Sequence, residues 1–105
     1  MSQTDGRTKA ADEQYELPSP IACQHALSKA EERDCSVYMD YWRDSLDGTA
    51  MIGIRSDNSK LLVKSASEYT STVEKLYKAD NAYLILTENS IYLVSAGISS
   101  CNISE

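Results

Sequence analysis

A chain of 105 residues, 42% of them hydrophobic, can bury one modest core, whereas a division into two domains would leave neither half viable. No apolar run approaches the roughly 20 residues that cross a bilayer, and the residues after Met1 lack the apolar stretch of a signal peptide, so neither membrane contact nor export is expected. The net charge of −6 argues against unassisted binding to a nucleic-acid backbone, which draws on clustered Lys and Arg.

The first segment of the chain is polar. Residues 1–18 contain Met1, Tyr15 and Leu17 as their sizeable apolar groups, set among Asp, Glu, Gln and Thr. Such a composition cannot bury enough apolar surface to fold by itself. We therefore expect residues 1–18 to be a flexible tail and residues 19–105 to form a single domain.

A helical region is predicted over about 20–46. Ser19 can cap the free amides of a helix, and Pro20 suits the first helical position because its φ is already fixed. Apolar residues then recur at roughly helical intervals, and Gly48 supplies a stop because glycine can adopt positive φ. A break near Cys35 is also open, and it would divide the region into two shorter helices.

An antiparallel sheet of four or five strands is predicted after the helical region, which gives an α+β fold. Short apolar runs separated by turn-forming residues are typical of strands paired in hairpins. Residues 66–79 fit a helix and a strand equally well, because an apolar stripe there overlaps with β-branched residues. The expected strands are about 49–55, 60–65, 82–88 and 91–95, with 69–78 as the fifth if that segment is extended.

Both predicted hairpins carry apolar residues on both faces in places. This pattern suits strands that lie between a helix and a further layer or a partner. Short sheets of this kind leave edges and apolar surface to cover, so the pattern leaves room for a homo-oligomer.

No pattern typical of an enzyme or a metal site is present. Cys23, His25 and Cys35 lack the paired spacing and the fourth ligand of a zinc site. On a helix, residues 23 and 25 point to different faces, so the histidine is wrongly placed to activate the nearer thiol. With Cys101 the cysteines number three, whereas small secreted scaffolds usually carry more in even counts. We therefore expect a cytoplasmic, non-enzymatic protein with no catalytic residue, metal or cofactor.

Acidic and aromatic residues meet in the second half of the predicted helical region. Asp40, Asp44 and Asp47 are spaced so that a continuous helix would place them along one face. Tyr41 lies among them and could supply contact area at low entropic cost. These four residues form the predicted protein-facing patch, suited to a partner with a basic surface. The alternative is that the aromatic residues of this region pack the helix onto the sheet.

The polar run Thr87-Glu88-Asn89-Ser90 has two interpretations. One is a hairpin turn, because Asn tolerates positive φ and Asn or Ser can bond their own backbone. The other is a ligand site, in which Asn89 and Thr87 present amide and hydroxyl groups while a tyrosine stacks on a flat group of the ligand.

The pattern Tyr69-Thr70-Ser71-x-Val73, followed by Thr87-x-Asn89-Ser90-x-Tyr92-x-Val94, resembles a β motif of short proteins from bacteriophages and other mobile elements. The resemblance covers residues 69–94 and implies strands where its motifs lie. It also implies counter-defence without catalysis, of the anti-CRISPR or anti-Thoeris type. Such a protein either blocks a bacterial defence complex or sequesters a nucleotide second messenger.

The two modes of action implied by this resemblance use different residues. In sequestration, Arg55 would reach a phosphate, Asn89 and Thr87 would read a base or ribose, and a tyrosine would stack. In blocking, the acidic region 31–47 would engage a basic channel of the target. The predicted ligand patch consists of Arg55, Tyr69, Thr87, Asn89 and Tyr92.

A second interpretation assigns the protein to a different functional class, that of structural subunits. The order of a helix, a hairpin, a helix and a second hairpin is similar to roadblock or profilin-like scaffolding subunits, which pair into larger assemblies. This alternative requires residues 66–79 to be helical.

Overall fold

The computed structural model describes residues 16–103. Most of the predicted tail, residues 1–15, lies outside the described residues, as do residues 104–105. The α+β class is confirmed. Within 16–103, no helix is long and apolar enough to cross a membrane. The elements are α1 (Pro20–Arg33), β1 (Ser36–Tyr38), α2 (Trp42–Asp47), β2 (Met51–Ile54), β3 (Lys60–Ser65), β4 (Glu68–Thr72), β5 (Lys75–Ala79), β6 (Ala82–Leu86), β7 (Ser90–Ser95) and β8 (Ser99–Asn102).

The strands form two mixed sheets of four strands each, where one antiparallel sheet was expected. The first sheet has the order β1-β7-β6-β5 and the second has the order β4-β3-β2-β8. Strand β1 runs parallel to β7, and β8 runs parallel to β2, while the other pairs are antiparallel. The two strands of a parallel pair are distant in sequence, so a search for hairpins in the sequence does not predict their pairing.

The predicted helical region contains a strand in its middle. Helix α1 begins as expected, with the Ser19 Oγ accepting a hydrogen bond from the Ala22 N–H at 3.1 Å. It ends at Asp34, which adopts a left-handed conformation with φ of 54°. The break near Cys35 is therefore present, and β1 follows it. Helix α2 ends at Gly48, where φ is 83°, as the sequence predicted.

The ambiguous segment 66–79 forms strands β4 and β5. At their junction the Val73 N–H donates to the Lys60 carbonyl at 2.7 Å, and the Glu74 N–H donates to the Leu86 carbonyl at the same distance. The chain thus passes from the edge of the second sheet to the edge of the first. The local sequence fits a helix and a strand equally well, and these long-range hydrogen bonds stabilise the strand.

The first sheet is covered on both faces. Because side chains alternate along a strand, Leu84 of β6 faces helix α1 while its neighbour Ile85 faces the second sheet. The buried residues on the helix side are Ala22, Ala26, Ala30, Trp42, Ala79, Ala82, Leu84, Leu86, Ile91 and Leu93. Those between the sheets are Tyr41, Ala50, Ile52, Leu62, Ile85 and Val94. The molecule is therefore layered as helix, sheet and sheet.

A buried serine joins helix α2 to the first sheet. Ser45 is 4% exposed, and its Oγ donates to the Trp42 carbonyl. The same Oγ accepts a hydrogen bond of 2.9 Å from the backbone N–H of Ser95, at the end of β7. The serine thus satisfies a buried backbone donor that has no partner within its own strand pairing.

Replacing Ser45 with alanine should lower the free energy of unfolding by about 1–3 kcal/mol, because the Ser95 N–H would be buried without an acceptor. Urea unfolding followed by circular dichroism measures this change. Ser28→Ala is the matched control, since Ser28 is exposed on α1 and gains the same helix propensity. Equal stability of the two variants would contradict the assigned role of Ser45.

Candidate functional site

The outer face of the second sheet, which points away from the first sheet, carries an open groove of about 570 Å³. This volume lies within the range of roughly 300–1,000 Å³ that is usual for small-molecule sites. The groove is lined by Arg55, Leu61, Val63, Ser65, Ala66, Tyr69, Asn102 and Ile103.

Strand alternation places the groove floor on this face. Ile52 of β2 faces the first sheet, so the next residue, Gly53, faces outward with its register partner Leu61. A Cβ atom at Gly53 would lie 3.0 Å from the Val63 Cγ2 and 3.1 Å from the Ile103 Cδ1. The missing side chain therefore lets these two residues close over β2 and complete an apolar floor.

Arg55 is the cationic group of the groove. Its Nη1 donates to the Ser59 Oγ at 3.2 Å and to the Thr72 Oγ1 at 3.1 Å. Both acceptors are neutral, and no carboxylate in the described part of the chain forms an ion pair with this guanidinium. Asp57 is its nearest acidic neighbour in sequence, and the pKa of Asp57 is lowered mainly by hydrogen bonds from Ser59, with a smaller effect of the Arg55 charge. Hydroxyl groups thus hold the guanidinium in place, and one of them, that of Ser59, donates a hydrogen bond of 2.6 Å to Asp57.

Tyr69 supplies the aromatic part of the groove. It lies on β4 beside its register partner Val63, and 57% of its surface is exposed. A large exposed ring next to an apolar floor can stack on a flat group or cover an apolar one.

The lining combines one charged side chain with polar and apolar groups. Of the described residues that line the groove, Arg55 alone is charged, and none is a carboxylate, a histidine or a cysteine. An arginine keeps its proton at any physiological pH, so it cannot act as a base. The hydroxyls of Ser65 and Tyr69 and the amide of Asn102 are the uncharged polar groups of the described lining.

The polar run of residues 87–90 forms the turn between β6 and β7. The Thr87 N–H donates to the Ser90 carbonyl at 2.9 Å, and the Thr87 Oγ1 donates to the same carbonyl at 3.3 Å. Thr87 is 2% exposed, whereas Asn89 is exposed at the tip of the turn. The turn interpretation of this run describes the observed geometry.

Tyr92 packs within a group of tyrosines on the first sheet. Its ring centroid lies 5.6 Å from that of Tyr38, in a stacked arrangement, and 5.6 Å from that of Tyr41, edge to face. The structure therefore brings Arg55 and Tyr69 of the predicted ligand patch into one groove. Their three predicted companions lie on the other sheet.

The predicted acidic patch does not form one outward face. Helix α2 begins only after Asp40, so the continuous helix that would align the three aspartates is not formed. Tyr41 is 7% exposed and packs between the two sheets, and Asp44 forms an ion pair of 3.0 Å with Lys64. Asp40 and Asp47 are exposed.

Lys64 anchors the hairpin that forms one rim of the groove. Its Nζ lies 3.0 Å from Asp44, 3.5 Å from Glu68 and 5.0 Å from the ring centroid of Tyr41. The pKa of Lys64 is raised, mainly by its hydrogen bond with Asp44. Burial raises the pKa of Tyr41, and the charge of Glu68 raises it further while Lys64 lowers it. The turn at residues 65–68 is thereby tied to helix α2.

The floor residues were missed at the sequence level. Leu61 and Val63 were assigned to a strand, but nothing in the chain showed which face the first sheet would cover. Gly53 was the available signal, since a glycine inside a strand often marks a close approach of neighbouring groups. Ile103 follows β8, a short strand rich in serine that lacks the usual apolar pattern.

In the range 16–103, no group of three or more His, Cys, Asp or Glu side chains is arranged to hold a metal ion. The three cysteines are free thiols, each partly buried. No protein-family model matches the chain, and neither a curated protein nor a solved structure matches it significantly. Function is therefore inferred from the chemistry of the groove.

Replacing Tyr41 with phenylalanine should reduce the amount by which the free energy of unfolding falls as the pH rises in alkaline solution. A raised pKa in the folded state contributes stability that is complete below about pH 10, where tyrosine ionises in unfolded chains, and is lost as the pH rises through the folded value. Urea unfolding between about pH 9 and about pH 11 measures the slope. Tyr69→Phe, which changes an exposed ring, should keep the wild-type slope. Parallel curves for wild type and Tyr41→Phe would contradict the burial effect.

Proposed function

We propose that the protein is a non-enzymatic binding protein that sequesters a small ligand on the outer face of the second sheet. One observation carries the proposal: a cation held by neutral hydroxyls, an exposed aromatic ring and an apolar floor meet in one groove of about 570 Å³. Few polar groups over a mainly apolar lining is the usual composition of a small-molecule site. The absence of carboxylates, histidines and cysteines from the described lining favours holding a ligand over transforming it.

Sequestration is better supported than blocking through the acidic region. Of the predicted protein-facing residues, Tyr41 packs in the interior and Asp44 is paired with Lys64. Asp40 and Asp47 are the members of this predicted patch that remain exposed. In contrast, Arg55 and Tyr69 lie together beside an open volume.

The scaffolding alternative depended on a helix over residues 66–79. That segment holds strands β4 and β5, so the feature on which the resemblance to roadblock or profilin-like subunits rested is not there. No other observation favours this alternative.

The resemblance to small phage proteins supplies a biological setting for the proposal. A counter-defence protein that sequesters a signalling molecule acts by mass action, without catalysis, in the cytoplasm of the infected cell. A nucleotide second messenger is the ligand class that this resemblance implies, with Arg55 for a phosphate and Tyr69 for a base.

Filling the groove should weaken binding while leaving the fold intact. We expect wild-type protein to bind the fluorescent probe anilinonaphthalene sulfonate saturably, at one site. Ala66→Trp should weaken this binding at least about tenfold, because the new ring would occupy the groove from its rim. The measurement is a fluorescence titration, with circular dichroism to check the fold.

Ser67→Trp is the matched control for this variant. Ser67 is the neighbouring residue in the same turn and is also exposed, but it does not line the groove. Its affinity should stay close to that of the wild type. The proposed function is wrong if the wild type shows no saturable binding, or if both tryptophan variants bind as the wild type does.

A further inference from the structure

The groove holds its charge at one place and its apolar surface at another. Arg55 lies at the end of β2, fixed by its bonds to Ser59 and Thr72. The floor beyond it is hydrocarbon, with Leu61 at its base only 3% exposed and Val63 and Ile103 partly exposed above it. A ligand that matches this surface must therefore be charged at one point and apolar elsewhere.

We infer that the ligand carries a single anionic group, bound by Arg55, on an apolar or aromatic body that covers the floor and reaches Tyr69. This inference rests on the proposed function and narrows the ligand class. It favours an organic monoanion, such as a carboxylate, sulfonate or phosphate diester with a hydrocarbon or ring body, over a multiply charged nucleotide.

The desolvation of polar groups supports this choice. A ligand with several phosphates would place more than one negative charge against one guanidinium, and its sugar hydroxyls would face hydrocarbon. Buried polar groups without partners cost free energy that the remaining contacts must offset. The groove offers few compensating groups, since Ser65 and Asn102 are the uncharged polar residues beside Tyr69 in its described lining.

The charge of the whole chain supports it as well. The chain has a net charge of −6, which sets up a negative field around the molecule. Such a field repels an anion in proportion to its charge. A single negative group can be compensated by Arg55, whereas a polyanion would remain repelled.

Two probes with the same ring system separate the charge from the apolar body. Anilinonaphthalene sulfonate carries one sulfonate, and N-phenylnaphthylamine is the same molecule without it. We expect the sulfonate to bind at least about tenfold more tightly to the wild type, which corresponds to one charge-assisted hydrogen bond. Arg55→Gln should remove this difference by weakening the sulfonate alone, as fluorescence titration would show.

Two further variants control for charge and for folding. Lys78→Gln removes a cation from β5, on the other sheet, and should leave both affinities unchanged. Arg55→Lys keeps the charge and should retain part of the preference for the sulfonate, which a variant damaged in its fold would not do. ATP, as a polyanion with a flat base, should fail to displace the sulfonate probe at equal concentration.

The outcomes distinguish the inference from the proposed function. Weaker binding of the sulfonate probe to Ala66→Trp would show that the probe binds in the groove. If Arg55→Gln then binds the probe as tightly as the wild type does, the monoanion inference is wrong, but the groove remains the binding site. Displacement by ATP would overturn the inference in the same way. If neither probe binds saturably, the proposed function itself fails.

Discussion

The burial of the β6–β7 hairpin on both faces is the constraint on which the rest of the structure depends. Leu84 and Leu93 face helix α1, while Ile85 and Val94, one position further along each strand, face the second sheet. All four side chains are at most 1% exposed, and each contributes about 1.5–3 kcal/mol by its removal from water. A hairpin with two apolar faces requires cover on both sides, so the layers of helix, sheet and sheet follow from it.

The groove is a consequence of this layering. The second sheet uses one face to cover the hairpin, with Leu62 fully buried between the sheets, and its other face has no layer of the described chain above it. The neighbours of Leu62 on the strand are apolar as well: Leu61 is buried at the base of the groove, and Val63 is partly exposed. The fold therefore presents hydrocarbon on an outer surface, and Arg55 and Tyr69 border it with one charge and one ring.

The sequence predicted those features of the fold that depend on interactions between neighbouring residues. The cap at Ser19 and the stop at Gly48 were confirmed, because both depend on neighbouring backbone groups. Strands β1 and β8 were not predicted, since each is short and pairs in parallel with a distant strand. Their existence depends on hydrogen bonds across the sheets, which no window of the sequence contains.

The same division applies to the candidate residues. Tyr41 was placed on an outward face because the helical spacing assumed a continuous helix, but the sheets bury it from either side. Arg55 and Tyr69 were selected for their chemistry, whereas the place of Leu61 beside them follows from strand register. The chemical character of a side chain is known from the sequence, whereas the residues that lie beside it are known only from the tertiary fold.

The most direct test of this account is two-dimensional NMR of the isotope-labelled protein during titration with anilinonaphthalene sulfonate. If the outer face of the second sheet is the binding site, the amide signals that move should belong to residues 53–55, 61–66, 69 and 101–103. Shifts confined to the 87–90 turn, or to the smaller apolar groove of about 250 Å³ beside Trp42, would contradict it and assign binding to another face of the molecule.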